Sequence, residues 1–210
     1  MRQKLIGNCY NSCFACCTPP SNLFTLSRKV IALMNEFKNL IVLGPLVYAI
    51  HHFEEHVVFN FIEWKVKYFW HSAASMATEA ILSILTSILI IFALLHLVKN
   101  SRASALVILF ILFTTQVINV LFHLFFSLYY NDFSPGVVTG LFLYLPANFF
   151  IVRAAFKENF LESYAGYGLI ALLGTVTFVM FEIFGSIILG LGVIASCLYF
   201  FWFNKRLIRG

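Results

Sequence analysis

The sequence contains few charged residues, and this scarcity decides the class of protein. Asp, Glu, Lys and Arg make up 11% of the 210 residues, whereas hydrophobic residues make up 61% and the mean hydropathy is +0.89. Soluble domains are about one quarter charged and about half apolar. A soluble core of this length could not bury so many apolar side chains, 25 of them phenylalanine. The composition therefore excludes a soluble enzyme and indicates an integral membrane protein whose partner is the lipid bilayer.

Four further absences exclude common functions or count against them. Asp132 is the only aspartate and lies in a predicted turn, so the chain has no Ser-His-Asp triad. It has no glycine-rich phosphate-binding loop and no internal repeat of the kind that builds many transporters. The net charge of +5 is not gathered in a nucleic-acid-binding motif, so we expect no nucleic-acid partner.

Apolar runs of about 20 residues predict transmembrane helices. Four such runs lie at about Leu40–Asn60, Glu79–Val98, Ala103–Tyr130 and Val137–Ala155. A further apolar region from Tyr164 to Phe203 is long enough for two helices joined by a turn near Gly185. The sequence therefore predicts an all-α transmembrane helix bundle with six spans, or with five if the last region forms one helix.

The distribution of lysine and arginine favours six spans with both termini in the cytoplasm. Six spans place 12 of the 14 basic residues at the cytoplasmic face and leave Lys65 and Lys67 outside. We accordingly predict a cytoplasmic tail at 1–38, the bundle at 39–204 and a basic cytoplasmic C-terminus at 205–210. The outer loop between the first two spans carries Trp64 and Tyr68, a composition typical of an interfacial aromatic belt.

The predicted N-terminal tail is rich in cysteine. Its cluster consists of Cys9, Cys13, Cys16 and Cys17. The first three have a C-x3-C-x2-C spacing that holds an iron–sulfur cluster in radical enzymes, but those enzymes need a large soluble barrel for which this chain has no room. We favour reversible acylation of these cysteines and expect the tail to be dispensable for folding.

Ionisable side chains inside the first predicted span mark a functional site, because such groups are costly in lipid. The span reads His51-His52-Phe53-Glu54-Glu55-His56. Offsets of three and four place His51, Glu54 and Glu55 on one helical face. His52 and His56 form a neighbouring stripe.

The third predicted span carries a second polar stripe, formed by Gln116, Asn119 and His123. Hydrocarbon offers these groups no partners, so they must face protein or a wet cavity. We therefore predict one shared pocket, lined by His51, Glu54, Glu55, Asn119 and His123. A hydrogen-bonded network that merely joins helices is the alternative, and two adjacent carboxylates fit it poorly.

The motif in the first span resembles the H-x-x-E-E signature of the HXXEE family of membrane proteins. His51-His52-Phe53-Glu54-Glu55 carries the signature, and Asn119-x3-His123, Ser134-Pro135-Gly136 and Leu145-Pro146 follow in a similar order and spacing. The resemblance covers about residues 35–155. It implies a membrane protein with an intramembrane motif, and it brings no activity with it.

Three kinds of chemistry fit the predicted pocket. In the first, His51, His123 and one of Glu54 or Glu55 bind one divalent metal, zinc or iron, and the other glutamate supports the site or acts as a base. In the second, a glutamate and a histidine transfer protons on a lipophilic small molecule without metal, as in an isomerase or cyclase. The third is a transporter or a proton- or ion-conducting module that uses the same cluster as a relay.

Overall fold

The computed structural model describes residues 36–69 and 78–209, and within these ranges it contains helices and no strand. In chain order the helices are α1 (Phe37–Leu40), α2 (Leu43–Phe53), α3 (Phe61–Tyr68), α4 (Thr78–Lys99), α5 (Arg102–Leu112), α6 (Ile118–Tyr130), α7 (Val137–Thr139), α8 (Leu145–Lys157), α9 (Tyr164–Phe184) and α10 (Ile187–Arg209). The all-α bundle is therefore confirmed. The cysteine cluster of the predicted tail lies outside the described residues.

Three short π-helical segments interrupt these helices. The first, π1 (Glu54–Val58), continues α2; π2 (Phe113–Val117) joins α5 to α6; and π3 (Gly140–Tyr144) joins α7 to α8. A π turn takes in one more residue than an α turn, so side chains beyond it are rotated about the helix axis. Because the polar residues of the site lie in or beside these segments, the π turns decide where those residues point.

Four helical stretches among the described residues are long and apolar enough to cross a membrane. They are Arg102–Tyr130, Val137–Lys157, Tyr164–Phe184 and Ile187–Lys205. They match the third and fourth predicted spans and the two arms of the predicted final hairpin, which turns at Gly185 with a positive φ of 72°. The second predicted span is helical with a shorter apolar stretch, Ser83–Lys99. The count of six spans and the side of each terminus stay predictions.

The first predicted span and the loop that follows it differ from the expectation. The first span is helical through α2 and π1 only, and a separate helix, α3, begins at Phe61. Trp64 on α3 is buried against Phe61 and Tyr68, so it is a core residue and not part of an exposed aromatic belt.

Helix α3 is hydrogen-bonded to the turn that follows α6. The Lys67 Nζ and the Tyr68 hydroxyl donate to Asp132 Oδ2 over 2.8 and 2.6 Å. The hydrogen bond from Lys67 contributes most, and together with the one from Tyr68 it holds the pKa of Asp132 below its usual value. The turn therefore has a fixed position over the end of α2.

The core of the described bundle lies around α5, of which eight residues are buried. The chain continues through π2 into α6, which carries His123 inward. Gly140 lets π3 approach α6 closely, because a Cβ atom at this position would lie 2.0 Å from Val120 Cγ2. This close contact sets the start of the Val137–Lys157 helix beside His51 and Glu55.

Candidate functional site

Two histidines and one glutamate from different helices meet at the end of α2. Glu55 Oε1 lies 2.8 Å from His123 Nε2 and 3.3 Å from His51 Nε2. The three residues are 6%, 0% and 2% exposed, respectively. The structure thus brings together residues that lie on the first and third predicted spans.

The outer nitrogen of each imidazole has a hydroxyl partner. His51 Nδ1 lies 2.8 Å from Thr139 Oγ1, and His123 Nδ1 lies 2.9 Å from Ser134 Oγ. When Nδ1 carries the proton and donates it to the hydroxyl oxygen, Nε2 presents a lone pair to Glu55. A second hydrogen bond of this kind orients most metal-bound histidines.

The three inner atoms approach one another without forming hydrogen bonds. His51 Nε2, His123 Nε2 and Glu55 Oε1 are buried, and none has a hydrogen bond of acceptable geometry to any described residue. With both imidazoles protonated on Nδ1, all three atoms would be acceptors and would repel one another, and an unpaired buried polar group costs about 1–3 kcal/mol. A cation between them would remove that cost.

The spacing of these atoms suits a divalent metal ion. One ligand atom from each of His51, Glu55 and His123 lies within 4.8 Å of the others. Metal–nitrogen bonds of about 2.0–2.1 Å place neighbouring ligands of a tetrahedral ion about 3.3 Å apart. The donor types therefore suit a two-histidine, one-carboxylate site; the 3.3 Å contact of Glu55 with His51 matches this separation, and the 2.8 Å contact with His123 is shorter.

Glu54 points away from the histidines and caps a helix. Its Oε2 accepts a hydrogen bond from the Thr139 N–H over 2.7 Å, and its Oε1 accepts from the N–H groups of Gly136 and Val138 over 3.2 and 3.3 Å. These amides begin the Val137–Lys157 helix and would otherwise lack intrahelical partners. Of the two glutamates, Glu55 is therefore the one that contacts the histidines and could hold a metal ion with them, whereas Glu54 holds Thr139 in place.

Exchanging Glu54 for glutamine should lower the stability of the fold, and its effect on metal binding should be small. The glutamine amide group would face backbone donors and leave at least one of them unpaired, so we expect the free energy of unfolding to fall by about 1–3 kcal/mol. Chemical unfolding in detergent measures this change. Unchanged stability would contradict the capping role.

The predicted polar stripe on the third span is split by π2. Gln116 is fully buried, donates to the Gly44 carbonyl over 2.8 Å and accepts from Asn148 Nδ2 over 2.7 Å. Asn119 is partly exposed and lines the cavity described below, and its Oδ1 has no partner among the described residues. Thus His123 joins the cluster, whereas Asn119 faces the adjacent cavity.

A cavity of about 310 Å³ adjoins the cluster. His51, Glu55 and Asn119 line one part of it, and Lys65 and Glu182, paired at 2.6 Å, line another. The other walls are largely apolar and come from α3, α4, α6 and the final hairpin: Phe61, Ile62, Leu85, Phe122, Phe178, Phe181 and Leu189. The cavity therefore combines a polar group of side chains with an apolar enclosure.

Three contributors to the site have weak or no signals in the sequence. Gly136 has a positive φ of 96°, and a Cβ atom there would lie 2.8 Å from His51 Cε1. The Tyr144 ring lies 4.3 Å from the His51 ring, and its buried hydroxyl has no described partner. Thr139 follows no motif, whereas Gly136 belongs to the Ser-Pro-Gly segment on which the family resemblance rests.

The comparison with known families agrees with this geometry. The model of the family described as "protein of unknown function with HXXEE motif" matches residues 42–151. The match covers just over half of the chain and contains every residue of the cluster. The chain belongs to this family of HXXEE-motif proteins. No curated protein and no solved structure matches it.

Proposed function

We propose that this protein is a membrane-embedded enzyme whose His51, Glu55 and His123 hold a divalent metal ion, zinc or iron, beside a cavity for a lipophilic substrate. The observation that carries the proposal is the convergence of two buried imidazole nitrogens and one buried carboxylate oxygen that form no hydrogen bonds of acceptable geometry with one another. When bound, the ion would supply a Lewis acid at the polar end of the cavity.

The walls of the cavity favour a substrate with a long apolar body and one polar group. The hydroxyls of Thr114, Thr115 and Thr177 line the cavity but donate to carbonyls of their own helices over 2.8 Å. These walls are therefore effectively apolar. The oxygen or double bond of a lipid or isoprenoid would lie at the end where Glu55 and Asn119 are found.

The residues around the site would have different roles. Thr139 and Ser134 orient the two imidazoles, and Glu54 holds Thr139 through its amide. Asn119 has a buried, unpartnered amide oxygen at the cavity wall, so it is the residue placed to bind a donor group of the substrate.

Metal-free acid–base catalysis is supported less well by the same geometry. A proton shared between Glu55 and His123 would need an aligned hydrogen bond, and the 2.8 Å approach lacks that alignment. A proton or ion relay would also use buried Glu and His side chains. The experiment below separates these alternatives.

Proteoliposomes made with a lipid extract from the source membrane would test the enzymatic function. Metal-loaded wild-type protein should convert at least one lipid to a product of different mass or retention time, whereas chelator-stripped protein and the Glu55→Gln variant should not. Equal conversion by stripped protein would favour acid–base catalysis. Ion flux without any lipid conversion would overturn the proposal in favour of a conducting module.

Replacing Ser134 with alanine should weaken metal binding without unfolding the protein. The change removes the hydroxyl partner of His123 Nδ1, and loss of such an outer partner costs about 10–100-fold in metal affinity. Zinc titration against a competing chelator measures the effect. Thr177→Ala removes a hydroxyl bonded within its own helix and is the matched control, for which we expect wild-type affinity.

A further inference from the structure

The carboxylate of Glu55 has a second histidine pair on its other side. Its Oε1 faces His51 and His123, whereas its Oε2 lies 3.7 Å from His56 Nε2. One ligand atom each from His52, Glu55 and His56 also lies within 4.8 Å of the others. The same carboxylate therefore belongs to two groups of potential metal ligands.

The two groups repeat one spacing along the helix. His51 and Glu55 are separated by four residues, as are His52 and His56, so two adjacent helical faces each present ligands at one turn's distance. The His52 and His56 rings lie 4.3 Å apart between centroids. Of these two imidazoles, that of His56 lies beside Oε2, the oxygen of Glu55 that is not in contact with the first group.

The second group is more exposed to the cavity than the first. His52 and His56 are partly buried and both line the cavity, whereas His51 and His123 are almost wholly enclosed. An ion held here would have coordination positions free for water or for an oxygen of a ligand. Such open positions distinguish catalytic from structural metal sites.

We propose that Glu55 bridges two metal ions, one held by His51 and His123 and a second, facing the cavity, held by His52 and His56. This inference rests on the proposed function and extends it from one ion to two. Paired ions at about 3.5–4 Å stabilise both the attacking and the leaving oxygen of a displacement in two-metal enzymes. Because Glu55 supplies one negative charge to the pair, we infer that a hydroxide or an anionic group of the ligand completes it from the cavity.

Zinc stoichiometry of the full-length purified protein tests the second site. Chelator-stripped protein reloaded with Zn²⁺ and desalted should retain two ions per chain, and the His52→Ala/His56→Ala double variant should retain one. Thr177→Ala, which alters a different part of the cavity wall, should retain two. Thermal unfolding of each variant shows that the fold is preserved.

The outcomes distinguish the two proposals. Two ions in both the wild type and the double variant, or one ion in both, would overturn the bridged pair while leaving the first site standing. No retained ion in the wild type would overturn the proposed metal enzyme itself. If the double variant does not fold, Mn²⁺-loaded wild-type protein decides: its paramagnetic resonance spectrum should show two coupled ions, and a spectrum of isolated ions would contradict the inference.

Discussion

Glutamine in place of Glu55 should abolish metal retention and leave the metal-free fold intact. The carboxylate is the charged group that contacts the imidazoles of both His51 and His123. Loss of an outer partner alone costs about 10–100-fold in metal affinity, so loss of the ligand itself should exceed about 100-fold. Competitive zinc titration of purified protein measures this change.

The stability of the metal-free variant separates a metal site from a structural network. A glutamine amide can donate to an imidazole nitrogen that has no hydrogen-bond partner among the described residues, so the free energy of unfolding without metal should not fall. Glu162→Gln is the matched control, because Glu162 is exposed and paired with Arg102 away from the site. Metal binding equal to that of the wild type in Glu55→Gln would contradict the assignment of Glu55 as a ligand.

Alanine in place of Gly136 should damage both the fold and the metal site. A φ of 96° costs a residue with a side chain about 1–3 kcal/mol. The new Cβ would lie 2.8 Å from His51 Cε1 and 3.0 Å from Glu55 Cγ, so both ligands must shift. We expect a lower unfolding temperature and at least a tenfold weaker zinc affinity.

The control for this change is Gly168→Ala on α9, where no atom lies within 4 Å of the added Cβ. Alanine is favoured over glycine inside a helix by up to about 1 kcal/mol, so this variant should be as stable as the wild type or more stable. If Gly136→Ala also behaved like the wild type in unfolding and zinc titration, the described contact of the Ser-Pro-Gly turn with the cluster would be wrong.

The helices could be predicted from composition because each apolar run is long and ends at charged or turn-forming residues. The run through Tyr164–Phe203, for example, divides at Gly185 as expected, since only a residue tolerant of positive φ turns the chain so tightly there. The helix α3 was not predicted. Its Trp64 is buried by contacts from distant residues such as Tyr130, which local sequence does not reveal.

The residues of the polar pocket could be found from sequence, but their directions could not. A period of 3.6 residues places Glu54 on the same helical face as Glu55, and Gln116 on the same face as His123. The π turns at Glu54–Val58 and Phe113–Val117 break that period. Glu54 then caps a helix and Gln116 bonds to Gly44, because tertiary partners, not spacing, determine each final contact.

The hydroxyls that orient the histidines were outside the reach of sequence reasoning for a similar reason. Ser134 and Thr139 are separated from their partners by 11 and 88 residues, respectively. Serine and threonine are common at helix starts for capping alone. These two residues reach the imidazoles only because the turn that follows α6 packs over α2.

X-ray absorption at the zinc edge of wild-type protein, loaded with one equivalent of Zn²⁺ and desalted, tests the central claim most directly. The wild-type protein should retain zinc, with nitrogen and oxygen ligands at about 2.0–2.1 Å and outer-shell scattering from two imidazoles. The His123→Ala variant should lose one imidazole from that spectrum or lose the metal. Zinc removed by desalting, or a wild-type spectrum without imidazole scattering, would contradict the proposed metal site.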